Sequence, residues 1–177
     1  FGLVHRNKDG SVVLGDDNLP LPTYDNETIR NLARVFTGLG LSYAADSTGN
    51  SVYENTNFNR SYCGPTGSLH YCWTQPMKFF PNYHDFDEKF LFVDNGDQVV
   101  IPESADISVD QAMAELNTVI EALVEHNTTA PFIARRLIQR FVTSNPSNAY
   151  IEKVSEAFGQ DGDLIQVCLL YTSPSPR

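Results

Sequence analysis

Two stretches carry residue types from which a reaction or a binding site could be built. In PNYHDFDEK, His84 stands directly before Asp85. Imidazole titrates near neutrality, and a carboxylate beside it fixes its tautomer and raises its basicity, the arrangement of a general base and its orienter. In APFIARRLIQRFV, Arg135, Arg136 and Arg140 form a dense basic cluster, and planar guanidinium groups suit a carboxylate, sulfate or phosphate. Each stretch also has a plainer reading. Asp and His are frequent in polar turns, so Asp85, Asp87 and Glu88 can simply be solvated. Antiparallel helices pair charges along their edges, so the arginines are expected to neutralise Glu115, Glu121 and Glu125 of the preceding helix.

A third feature is SYCGPTGSLHYCW, where Cys63 and Cys72 bracket a short loop. A disulfide between them in an oxidising compartment adds roughly 2–3 kcal/mol by the chain-entropy argument. Two free thiols are the alternative, and the spacing departs from the C-x-x-C clasp of structural zinc, so no metal site is expected. His70, inside the loop, reads as a surface histidine. The sequence holds no H-E-x-x-H, P-loop, G-x-S-x-G or dinucleotide fingerprint.

The elements that must position these groups are mostly helical. DNETIRNLARVFTGLG predicts a helix capped by Asp25, with Ile29, Leu32, Ala33 and Phe36 inward and Gly38 at its end. Ser108 and Gln111 make a capping box ahead of an apolar stripe through Val109, Ala112, Met113, Leu116, Val119, Ile120, Leu123 and Val124, ending at His126. A helix with Pro131 in its first turn follows, with Ile133, Leu137 and Phe141 on one side. The last clear helix starts near Pro146, turns Tyr150, Ile151, Val154 and Phe158 inward and stops at Gly159. Short connections favour antiparallel neighbours. The fold class expected is therefore mainly α: a small antiparallel helical bundle with one or two short β-hairpins, one of them around Asn95-Gly96, and a long irregular insertion over residues 41–76. Residues 1–23 read as a small ribbon or ordered loop broken by turns.

Hydrophobic residues at 41% are enough for a buried core. A net charge of −10 argues against nonspecific nucleic-acid binding, which needs clustered Lys and Arg. No apolar run approaches the roughly 20 residues of a membrane-spanning helix. The final stretch, CLLYTSPSPR, reverse-translates into what resembles a sequencing-library adapter, so residues 168–177 are expected to be an artefact that is disordered or merely prolongs a helix begun at Asp163. The absence of an initiator Met and the abrupt start at Phe1 suggest truncation at both ends.

TYDNETIRNLARVFTG, HDFDEKFLF and APFIARRLIQRFVTSNPSNAYIEKVSEAF followed by GDL resemble, in that order, the bacterial family called domain of unknown function 1800. The resemblance spans Phe1 to about Val167. It implies an exported, mostly helical bacterial protein of which residues 1–167 are the C-terminal part of one larger domain. It also implies a periplasmic or extracellular location and a partner resembling the sulfatase and alkaline-phosphatase superfamily. By position, the family's His-Asp pair falls on His84 and Asp85, its lysine on Lys89, its helix-closing histidine on His126 and its basic helix on Arg135 and Arg136. Leu39 replaces the family's usual tryptophan, and the glycine expected at Phe92 or Val93 is missing. The family has no established activity and no cofactor follows from it.

Three functional classes stay open: a structural or interaction component at the cell surface, a hydrolytic enzyme, and a binding module for an anionic polysaccharide. In the last two, His84 and Asp85 are the catalytic candidates, Lys89, His126, Arg135 and Arg136 the ligand contacts, and all are expected to share one cleft.

Overall fold

The computed structural model describes residues 2–41, 43–45, 51–54, 58, 76–94, 97–159 and 162–172. Among them are five α-helices, α1 (Asn26–Val35), α2 (Val109–Glu125), α3 (Thr129–Phe141), α4 (Asn148–Phe158) and α5 (Leu164–Thr172). Six short strands accompany them: β1 (Leu39–Leu41), β2 (Tyr43–Ala45), β3 (Ser51–Glu54), β4 (Met77–Phe79), β5 (Lys89–Asp94) and β6 (Asp97–Ile101). The mainly α expectation holds. Cys63, Cys72 and the Asn95-Gly96 turn lie outside the described residues, although β5 and β6 on either side of that turn do pair.

The chain divides into two compact units. The first comprises Phe1–Ile29, Phe90–Val99 and Thr118–Arg177, the second Arg30–Lys89 and Val100–Asn117. In the first unit, α3 packs on α4 and α4 on α5, around Ala134, Ile138, Ile151, Val154, Phe158 and Val167. The N-terminal ribbon is held by bridges Val4 to Pro22, Arg6 to Val12 and Leu14 to Pro20. Its KDG turn needs glycine: Gly10 has φ +78°, and a Cβ there would lie 2.9 Å from the Ile151 side chain. Ser147 caps α4 by accepting from Tyr150 N–H at 3.3 Å. Asp163 starts α5 by accepting from Ile165 and Gln166, and that helix runs on through Cys168 to Thr172.

In the second unit β1 and β4 pair antiparallel, Leu39 opposite Phe79, so the two ends of the 41–76 excursion are closed against each other. Within the excursion β2 and β3 also pair antiparallel. That stretch is therefore less irregular than expected, since Tyr and Val in SVYE favour extended backbone despite the polar residues around them.

Two helical faces differ from the apolar stripes read in the sequence. On α1 the buried residues are Thr28, Asn31 and Val35, whereas Ile29 and Phe36 are about half exposed. The polar pair is tolerated inside because Thr28 bonds Asp25 and Asn31 accepts from Arg34. On α2 the buried line is Ala112, Glu115 and Val119, while Val109, Met113 and Ile120 face solvent. Phe141 of α3 is likewise exposed, its helix burying Ala134 and Ile138 instead.

Candidate functional site

In the second unit, the end of α1 and the segment 80–89 are locked together residue by residue. Pro81 opens a 3-10 turn over Pro81–Tyr83, and His84 N–H donates to Pro81 O at 3.1 Å. That turn lies directly on Gly38, whose O accepts from Phe80 N–H at 2.8 Å. Gly38 has φ +74°, and a Cβ there would fall 2.8 Å from Phe80 O and 2.9 Å from His84 N. Only glycine gives both the left-handed backbone and the room. The neighbouring Thr37 then serves both members of the His-Asp pair: its carbonyl accepts from His84 Nδ1 at 2.8 Å, and its hydroxyl from Asp85 N–H at 2.9 Å.

Asp85 does not orient His84. It takes a two-pronged grip from Arg34, Nε to Oδ2 at 2.6 Å and Nη2 to Oδ1 at 3.0 Å. Arg34 uses Nη1 on Asn31 Oδ1 at 2.9 Å and Glu88 O at 3.0 Å, which joins the helix to the far end of the segment. Hydrogen bonding from Arg34 holds the Asp85 carboxyl below the usual carboxylate range against the opposing effect of burial, and Asp85 raises Arg34 in return.

The group that meets the far side of His84 is Glu115. Nε2 lies 3.2 Å from Glu115 Oε2, and Lys89 Nζ donates to the same oxygen at 2.8 Å and to Asp87 O at 3.0 Å. Phe79 and Phe86 meet the imidazole edge-to-face, with ring centroids 5.2 and 4.6 Å away. The side chains of His84 and Lys89 are 0% exposed and that of Glu115 1%. Because Thr37 O only accepts, Nδ1 must carry a hydrogen, and one further proton lies between Nε2 and Oε2.

Glu115 and Arg34 are the residues that reading by apolar stripe missed. Glu115 lies three residues after Ala112 and four before Val119, an acid on the inward line of α2, and that spacing is the signal for a buried carboxylate in need of a cation.

The other predicted residues belong to the first unit. His126 is 1% exposed, sits between the rings of His5 and Phe92 with centroids 5.4 Å from each, and accepts from Thr128 N–H through Nδ1 at 3.1 Å. It thus fixes the turn between α2 and α3. Arg6 donates through its backbone to Thr128 Oγ1 at 3.3 Å and through Nη1 to Gly10 O at 2.7 Å. Burial, and then the positive charges of Arg135 and Arg136, lower the Arg6 guanidinium from its usual value.

The expected neutralisation of the arginines by Glu115, Glu121 and Glu125 is not found. Glu115 is committed to Lys89 and His84, and among the described residues no carboxylate lies within 4.0 Å of the nitrogens of Arg135, Arg136 or Arg140. Arg136 instead lies over the Phe132 ring at 5.4 Å. A cleft of about 710 Å³ in the same unit is lined by Arg6, Lys8, Glu125, His126, Pro131 and Glu156 among others, and Arg6 also feels the charges of Arg135 and Arg136. His84, Asp85 and Lys89 thus come together in one unit, and His126, Arg135 and Arg136 belong to the other.

No described helix is long and apolar enough to cross a membrane. Among the described residues no group of three or more His, Cys, Asp or Glu is arranged to hold a metal ion. No curated protein and no solved structure is matched by the chain. The family pattern described as protein of unknown function (DUF1800) matches residues 13–174, a span that takes in both the α1 end with its His84-Asp85 clasp and the basic helix α3. The chain belongs to that family.

Proposed function

We propose that this chain is a structural or interaction component of an exported bacterial protein that works at the cell surface, in the periplasm or outside the cell, with a sulfatase-like partner. Its contact region for an anionic polysaccharide is the basic group Arg6, Arg135 and Arg136, extended by Lys8 and His126 along the cleft that Arg6 also lines. The observation that carries this reading is the burial of His84 and Lys89, both with fully enclosed side chains. A general base must come within about 3.2 Å of the proton it removes. Here each ring nitrogen of His84 already faces an oxygen of the protein, so the His-Asp motif serves the architecture. The arginines of α3 have the opposite character: they are cations without a carboxylate at hand in a strongly acidic chain, a pattern suited to sulfate or carboxylate groups.

The test is binding of the chain to a sulfated, a phosphorylated and a neutral polysaccharide across a salt series. Wild type is expected to bind the charged polymers with affinity falling as salt rises, and Arg135→Ala with Arg136→Ala to lose about tenfold or more, at roughly 1 kcal/mol per charged contact. Equal binding to the neutral polymer, or unchanged affinity in the double variant, contradicts the assignment. Hydrolysis of any of these polymers by wild type, lost in a folded His84→Gln variant, would favour the enzymatic alternative.

A further inference from the structure

The carboxylate of Glu115 is served unevenly. Lys89 Nζ and His84 Nε2 both converge on Oε2, while Oε1 is buried with no hydrogen-bond partner. A resting ion pair gains most when its donors are spread over both oxygens, and a buried oxygen left without one carries its desolvation penalty. The cluster also holds excess charge: with the proton between Nε2 and Oε2 counted, an ammonium at Lys89 leaves the three side chains with one net positive charge, walled by Phe79 and Phe86. An amine in contact with a carboxyl group in a space closed to water, with two protons directed at one oxygen, is arranged for condensation.

We propose that Lys89 and Glu115 join in a self-formed intramolecular amide that ties the start of β5 to α2. The lone pair of Nζ, freed when one proton passes to Oε2, forms a bond to Cδ of Glu115. The Cδ–Oε2 bond breaks, and its electrons leave on Oε2, which departs as water with that proton and a second one from His84 Nε2. Nζ gives one more proton to the departing water, which carries it out as hydronium, and keeps its third hydrogen as the amide N–H, while Oε1 stays as the amide oxygen. Nothing is oxidised or reduced. His84 acts as the acid, and it ends neutral with Nδ1 still donating to Thr37 O and Nε2 able to accept. The Asp87 carbonyl, 3.0 Å from Nζ, holds the amine in place. The product removes the excess buried charge, and the oxygen without a donor becomes an uncharged carbonyl instead of half a carboxylate.

This cross-link is independent of polysaccharide binding. The mass of the intact wild-type chain, measured in denaturant, reads it directly. The chain is expected to be lighter than its sequence by one water, with proteolysis yielding a branched peptide that joins Lys89 to Glu115. Glu115→Gln is expected to lose one ammonia instead and reach the same branched product, Lys89→Met to keep its full mass, and His84→Gln to form the bond at least about 10²-fold more slowly. A wild-type chain of full mass, or a water loss that maps to other residues, overturns the proposal.

Discussion

His84 and His126 are both closed off from solvent, and the two rings are used in opposite ways. Around His84 every polar neighbour is an acceptor, so the ring gives hydrogens: Nδ1 to Thr37 O, and a proton held between Nε2 and Glu115. At His126, Nδ1 instead receives from the Thr128 amide, with His5 and Phe92 packed beside the ring. The cations differ in the same way. Lys89 is enclosed with two oxygens to bond, whereas Arg135 and Arg136 have no carboxylate within 4.0 Å among the described residues. Residue type therefore does not decide which group touches a ligand. What separates an architectural cluster from a contact surface is whether its charged groups are enclosed and hydrogen-bonded to one another, or left with no carboxylate beside them.

The contrast breaks most visibly where the enclosed charges lose a partner. Relative to the chain without the cross-link, Lys89→Met removes the shorter of the two hydrogen bonds to the buried Glu115 carboxylate and leaves it His84 alone, at an expected cost of roughly 3–5 kcal/mol of stability, whereas Lys89→Met with Glu115→Leu recovers most of it because no carboxylate is left in the core. Urea titrations of the single and double variants check this. A single variant as stable as wild type would mean that water reaches the cluster.

At the rim of that cluster the effect is smaller and depends on pH. The Arg34 guanidinium depresses Asp85, so this pair contributes stability above the ordinary carboxylate range, and the contribution is lost as pH falls through the lowered value. Both partners are about 30% exposed, which screens the pair, and Asp85→Asn is expected to cost about 1–2 kcal/mol near neutrality. Below about pH 3 the difference from wild type should narrow, because wild type is then losing the same charge. Midpoints of thermal unfolding against pH measure it, and a constant difference down to acid pH would assign the stabilisation elsewhere.

In the other region the same kind of change should hardly register. Arg135→Ala with Arg136→Ala is expected to shift stability by no more than about 0.5 kcal/mol, since neither guanidinium is matched by a carboxylate, even as anion binding falls. A large loss of stability would place these arginines in the architecture alongside Lys89.

How much of this was legible in the sequence depends on what each residue answers to. Local signals carried over: Asp25 and Ser108 cap their helices, Gly38 and Gly159 take positive φ, and Pro131 fits the first turn of α3. The motif that places His84 beside Asp85 did mark a site of dense bonding. Its partners were not visible, because Arg34 lies 51 residues away from Asp85 and Glu115 lies 31 from His84, and only the folded backbone brings them together. The helical faces misled for a related reason. Periodicity counts apolar residues, and the lines that are buried carry Thr28 and Asn31 on α1 and Glu115 on α2, polar groups made tolerable by hydrogen-bond partners, Asp25 and Arg34 close by on α1 and Lys89 from outside the helix. The arginines of α3 were assigned to Glu115 by helix adjacency, and that pairing yields to a buried lysine with no water competing for the carboxylate.

The central claim is that His84 belongs to an enclosed cluster and does not face a substrate. Deuterium exchange at the imidazole C2 position, followed by mass spectrometry of the peptide containing His84, tests it on the wild-type chain. The account predicts exchange at least about tenfold slower in the folded chain than in the same chain in denaturant, as expected where opening the site requires local unfolding. Exchange at the denatured rate would show the ring open to water and restore His84 as a candidate base.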